Sequence, residues 1–133
     1  MTKAGLSSAT PREHVAIVRP QCAAMILSGE KTIESRLYRS RQAPVGRVGP
    51  GDIIYIKQAS GPFRARATVS RVLEQEVTSP QVLATLHKKY EPRIRGGDAY
   101  WTSKAAARYA VLMWLTAVEP CESGPARTHW RKA

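Results

Sequence analysis

Gly29-Glu30-Lys31-Thr32-Ile33-Glu34-Ser35-Arg36, followed after a basic loop by Gly51-Asp52-Ile53-Ile54-Tyr55-Ile56-Lys57, is the part of the chain whose reading fixes the rest. Gly29 closes an apolar helix. From Lys31 to Leu37 the alternation reads as a strand, with Thr32, Glu34 and Arg36 on one face and Ile33 on the other. Such a strand presents charge where a core strand presents Val or Leu. Glu34 and Arg36, two residues apart on one face, stand about 7 Å apart at the backbone, so their long side chains can meet each other or grip a ligand together. Spacing alone leaves two readings open: a solvated ion pair on a half-exposed strand, or a binding pair.

Working outward, Val15 to Val18 is a short apolar run and a first strand. Pro20 suits the first turn of a helix whose buried side is Cys22, Ala23, Met25, Ile26 and Leu27. Tyr38 to Gly51 scatters Arg39, Arg41 and Arg47 among Pro44, Gly46, Pro50 and Gly51, a composition that resists regular structure and predicts a basic loop. Ile53 to Lys57 continues as a strand, and Gly61-Pro62 turns the chain into Phe63 to Ser70. That run alternates, with Phe63, Ala65, Ala67 and Val69 inward as for a tightly curved wall. Arg64 and Arg66 point outward, to solvent or to phosphate.

Ser79-Pro80 opens a second helix with Val82, Leu83, Leu86 and Tyr90 as its stripe, and Pro92 is expected to end it. After a loop from Arg93 to Gly97, Asp98 is expected to cap a short helix running to about Ala107. Tyr109 to Val118 is apolar on both faces, as for a strand in the middle of a closed barrel. The expected organisation is a flexible lead over residues 1–12, one domain over 13–120, and a poorly ordered basic tail over 121–133.

The chain has 133 residues, enough for one domain with a modest core, and 21 Lys and Arg against 10 Asp and Glu give a formal net charge of +11. That excess points to a polyanionic partner, because clustered cations release counterions from a phosphate backbone. A protein-interaction adaptor would need an exposed apolar patch, and the surface reads as basic instead. No apolar run approaches the ~20 residues of a membrane span, and Met1 to Arg12 lacks the apolar core of a signal peptide, so the expected compartment is the cytoplasm. Cys22 and Cys121 form no CxxC pair and read as inert thiols; His14, His87 and His129 lack ligand spacing. No metal or cofactor is expected. Ser28-Gly29-Glu30-Lys31-Thr32 fails as a P-loop because Glu30 interrupts the Gly-Lys order and a strand follows.

Gly-x-Lys-Thr-Ile-Glu-x-Arg followed by Gly-Asp at the head of an apolar strand resembles the signature of the ASCH domain family, small β-barrel modules related to the RNA-binding PUA domain. Arg19-Pro20, Gly46-Arg47-Val48, and Asp98-Ala99-Tyr100-Trp101 with Lys104, Arg108 and Tyr109 extend the resemblance over roughly residues 13 to 120. It implies an α+β fold, a PUA-like mixed β-barrel with short flanking helices; a monomer is the expected state. It also implies a cleft for RNA or a modified nucleoside. The residues it would bring there are Lys31, Glu34, Arg36, Thr32 and Arg19, with Lys57 from the next strand and Tyr100, Trp101, Lys104 and Arg108 from the late helix. Cations hold phosphate, an aromatic face stacks a base and a carboxylate accepts from a base amino group.

Some ASCH proteins resemble hydrolases of N4-acetylcytidine built on a lysine, a threonine nucleophile and a glutamate; others are similar to ribonucleases. Lys31 falls on that lysine, Glu34 stands at the threonine position, and Glu91 matches the third residue. The resemblance therefore implies an alternative function in which Lys31 and Glu34 act as a general acid–base pair on water. A deep pocket sized for one base would favour an enzyme, and an open basic groove an RNA module.

Overall fold

The computed structural model describes residues 10 to 130. The expected lead therefore falls mostly outside the described residues, as does the end of the tail. Five strands, β1 (Glu13–Val18), β2 (Ile33–Tyr38), β3 (Ile53–Gln58), β4 (Phe63–Glu76) and β5 (Tyr109–Pro120), form one sheet in the order β1-β3-β4-β5-β2. β1 runs parallel to β3; the other neighbours are antiparallel. Helix α1 (Pro20–Ser28) joins β1 to β2, and α2 (Pro80–Ile94) and α3 (Asp98–Ser103) join β4 to β5. No helix among the described residues is long and apolar enough to cross a membrane.

The sheet curls without closing. β1 and β2 are its two edges, so the expected barrel is a half-barrel with a seam between the first two strands of the chain. Curvature comes from the long β4–β5 pair, whose register slips between Arg66 and Thr68 and again between Val69 and Arg71. Each slip adds a bend and twist. It also breaks the two-residue alternation, which explains why the pattern ended at Ser70 while the strand continues to Glu76.

Two apolar layers flank the sheet. On one face α1 supplies Ala23 and Ile26 against Ile54, Ile56, Ala65, Ala67, Val69, Val111, Met113 and Leu115. On the other, Leu86, Tyr90 and Ile94 of α2 and Trp101 of α3 pack on Ile33, Leu37, Ala110 and Leu112. β5 thus buries both faces, as its sequence required. Gly29, at φ 87°, ends α1 in the left-handed conformation that a side chain would oppose, and its N–H donates to Ile26 O at 3.2 Å.

The Gly51-Asp52 pair also has a structural reason. The Asp52 carboxylate accepts from His14 Nε2 at 2.9 Å and from the backbone N–H groups of Arg12 at 3.1 Å and Gly49 at 3.0 Å, tying β1 to the loop before β3. Burial alone would raise its pKa; the His14 and backbone hydrogen bonds outweigh that and hold it below the ordinary carboxylate value.

Two local expectations are corrected. Pro92 does not end α2, which continues to Ile94 and closes at Arg95, φ 57°. In the last turn the proline withdraws one bond from the carbonyl of exposed Lys88, where water can replace it, while Ile94 gains complete burial. Helix α3 stops at Ser103 rather than near Ala107, and Gly97, not Asp98, is its cap. The chain leaves the helix because Ala107 tucks into the core and the Arg108 N–H bonds Tyr38 O at 2.7 Å to start the β5–β2 ladder. In the tail, Trp130 meets Phe63 edge to face at 5.9 Å and its Nε1 donates to Pro125 O at 2.8 Å, while most of residues 121–130 are exposed.

Candidate functional site

The seam between the two sheet edges holds the charged residues of the opening motif. Ile17 and Val18 of β1, Arg19 and Cys22 at the start of α1, Lys31, Glu34, Ser35 and Arg36, Ile94 at the end of α2 with Gly96 just beyond it, and Tyr100 of α3 line a cavity of about 150 Å³. Arg36 spans the seam: its Nη2 donates to Ile17 O of the opposite edge at 3.2 Å and bridges to Glu34 Oε2 at 2.8 Å. A side chain thus replaces the backbone ladder that would otherwise close the barrel. Arg36 Nε is buried and has no partner among the described residues.

Lys31 lies under this pair, only 4% exposed. Its ammonium donates to Ile94 O at 2.7 Å and Ile33 O at 2.9 Å and meets Glu34 Oε1 at 3.3 Å. Three hydrogens find three acceptors, so the cation is fully satisfied. Glu34, also 4% exposed, answers Lys31 with one oxygen and Arg36 with the other. Burial pushes its carboxyl up, but the Arg36 and Lys31 charges more than offset this, and its pKa lies below the ordinary value. The half-exposed strand of the sequence reading is therefore corrected: the charges are inside, because they fill the open seam of a curled sheet.

Across the cavity Ser35 Oγ and Tyr100 Oη are 2.7 Å apart. Burial pushes the Tyr100 phenol well above its ordinary value, leaving it a neutral hydroxyl. Ser35, Ile94 and Gly96 are cavity residues that the sequence reading did not single out. Ser35 gave no signal because it lies on the strand face opposite Glu34 and reads as a filler position.

Of the remaining candidates, Arg19 reaches the cavity rim, whereas Thr32 and Lys57 are not among its lining residues. The Thr32 backbone N–H donates to Arg93 O at 3.0 Å, and Lys57 Nζ reaches Gln58 O at 3.4 Å. Glu91 binds the Gly96 and Gly97 N–H groups at 3.0 and 2.9 Å and Trp101 Nε1 at 2.7 Å, so it sets the turn behind the cavity without entering it. Burial opposes its ionisation, but these donors outweigh that and lower its pKa. Trp101 is buried and stacks on His87 at 4.6 Å; neither ring lines the cavity. Lys104 stands over the Tyr100 ring at 5.6 Å, and Arg108 lines a separate concavity. No group of three His, Cys, Asp or Glu among the described residues is placed to hold a metal ion.

No protein-family model and no curated protein matches the sequence. Solved structures do match. ASCH from Zymomonas mobilis superposes with a TM-score of 0.66 at 20% identity over 82% of this chain and 70% of its own. A tyrosine-to-phenylalanine mutant of the same protein gives 0.65 at 20% identity, covering 82% of this chain and 72% of its own. The hypothetical protein PH0355 gives 0.50 at 18% identity over 82% and 99%. At these identities the likeness concerns architecture: an α+β, PUA-like sheet with helices on both faces.

Proposed function

We propose that this chain, whose fold is that of the ASCH domain, recognises a single base of RNA or a modified nucleoside in the seam cavity. The supporting observation is the cavity itself, about 150 Å³ with cationic Arg19 and Arg36 and the hydroxyls of Ser35 and Tyr100 among its lining residues. A space near 150 Å³ takes a ring of benzene size, so it suits one pyrimidine better than an open strand. Arg36 donates to a carbonyl of the base, the two hydroxyls donate or accept at its edge, and Arg19 at the rim meets the sugar or phosphate side.

Hydrolysis is the second reading, favoured by the one-ring size of the cavity and by the Lys31–Glu34 pair at 3.3 Å among its lining residues. In the resting arrangement Lys31 has no free hydrogen-bonding position and both Glu34 oxygens are paired. Turnover would need substrate to displace one of these contacts. Binding leaves the buried Lys31–Glu34 pair intact and is therefore the leading reading.

One titration separates them. Cytidine, uridine, N4-acetylcytidine and a short RNA are titrated by calorimetry, with released acetate and RNA cleavage followed in the same samples. The expected result is saturable binding of a pyrimidine ligand, weakened about tenfold in Arg19→Gln, or about 1.4 kcal/mol. Arg19 is exposed and makes no side-chain cap bond, so the melting point should not move. Absence of binding across the panel would overturn the reading; turnover abolished in Lys31→Met would promote the second.

A further inference from the structure

A second concavity, about 570 Å³, lies at the end of the β2–β5 ladder, lined by Arg39, Val77 to Pro80 and Ala105 to Arg108. Its charged side chains are both cationic. The last ladder pair is Tyr38 opposite Tyr109, and the Arg108 N–H closes onto Tyr38 O at 2.7 Å. Arg39 immediately follows β2 and Arg108 immediately precedes β5, so both stand at this end of the sheet and line the same concavity. Like charges lining one concavity repel each other unless an anion lies between them. Here both guanidiniums are exposed, and neither has an ion-pair partner among the described residues.

The pair is also connected to the seam cavity. Arg39 is three residues beyond Arg36, about 10 Å along the strand direction. From the other side, Tyr100 lines the seam cavity, Lys104 stands over the Tyr100 ring at 5.6 Å, and the next four residues line the second concavity. The segment from Tyr100 through Lys104 to Arg108 thus connects the seam cavity to the second concavity.

We propose that Arg39 and Arg108 form a phosphodiester subsite, so that the partner is a single RNA strand several nucleotides long, with one base in the seam cavity and a neighbouring backbone phosphate between the two arginines. The RNA assignment rests on the binding reading above; the subsite rests on the arginine pair. Two guanidiniums with ten N–H donors between them can surround a phosphate that bridges their repulsion. Lys104 would track the backbone in between.

The test compares wild type, Arg39→Gln/Arg108→Gln, and a charge-matched control, Lys88→Gln/Lys89→Gln, whose residues are exposed on α2 and line neither concavity. Each is titrated with a fluorescent oligouridylate of about ten nucleotides across a salt series, and separately with single nucleosides. Each single-strand phosphate contact contributes about 0.7 to the slope of log affinity against log salt, so the arginine variant should lose up to about 1.4 and bind the oligomer at least tenfold more weakly at low salt. Its nucleoside affinity should be unchanged, and its melting point equal or higher because a like-charge repulsion is gone. The control should keep the wild-type slope. An unchanged slope in the arginine variant, or the same drop in the control, overturns the subsite while leaving base recognition in place. Wild type that binds nucleosides but no oligomer overturns the subsite and the RNA assignment together. Wild type that binds neither refutes the binding reading as well.

Discussion

Replacing Lys31 by Met tests whether the seam charges are a buried, mutually dependent unit. The ammonium is 4% exposed and satisfies Ile94 O at 2.7 Å, Ile33 O at 2.9 Å and Glu34 Oε1 at 3.3 Å. Methionine matches its length but removes all three donors. Glu34 is then left buried with Arg36 as its one cation, and Ile94 O loses the donor that pins the end of α2 to β2. Removing one partner of a buried pair costs about 3 to 5 kcal/mol, against about 0 to 1 for an exposed pair. For a chain of this length that corresponds to a drop in melting point of roughly 10 to 20 °C. A domain of ordinary stability, about 5 to 15 kcal/mol, survives this with a reduced margin. Urea denaturation at neutral pH measures it, with the midpoint falling and the slope unchanged. A loss under about 1 kcal/mol would refute the reasoning. Adding Glu34→Leu to Lys31→Met should recover part of the loss, because an apolar filling of the seam no longer strands a carboxylate.

Two further outcomes follow from the same geometry. The Glu34 carboxyl has a folded pKa below its ordinary 4.5, so its stabilising effect is fully present above that value and is lost as pH falls through the folded pKa. Thermal melts of wild type and Glu34→Gln should therefore differ most at neutral pH and converge below about 4.5; a constant gap down to pH about 3 would contradict the assignment. Tyr100→Phe removes the partner of Ser35 Oγ at 2.7 Å and should cost about 0.5 to 1.5 kcal/mol by urea denaturation, and an unchanged midpoint would show that the two hydroxyls are not bonded in solution.

The sequence by itself determined the element order and much of the motif's local geometry. Pro20 and Gly29 bracket α1 because one lacks an N–H that the first turn does not need and the other accepts a left-handed cap. Ser79 and Pro80 start α2 for related reasons, and β5 had to be covered on both faces because Val111, Met113 and Leu115 alternate with Ala110 and Leu112. Lys31, Glu34 and Arg36 were legible as a charged cluster on one segment. What only the tertiary structure decided is where that cluster points. A strand pattern gives two faces but not which is covered, and the open seam between β1 and β2 depends on register slips in β4 and β5 far along the chain. Trp101 and Glu91 looked like site residues because their chemistry suits a ligand, yet they bond each other behind the cavity, a pairing across ten residues that local spacing does not encode. Ser35 entered and Lys57 dropped out for the same reason: proximity in a curled sheet is set by long-range pairing, whereas sequence reports only the periodicity of each strand.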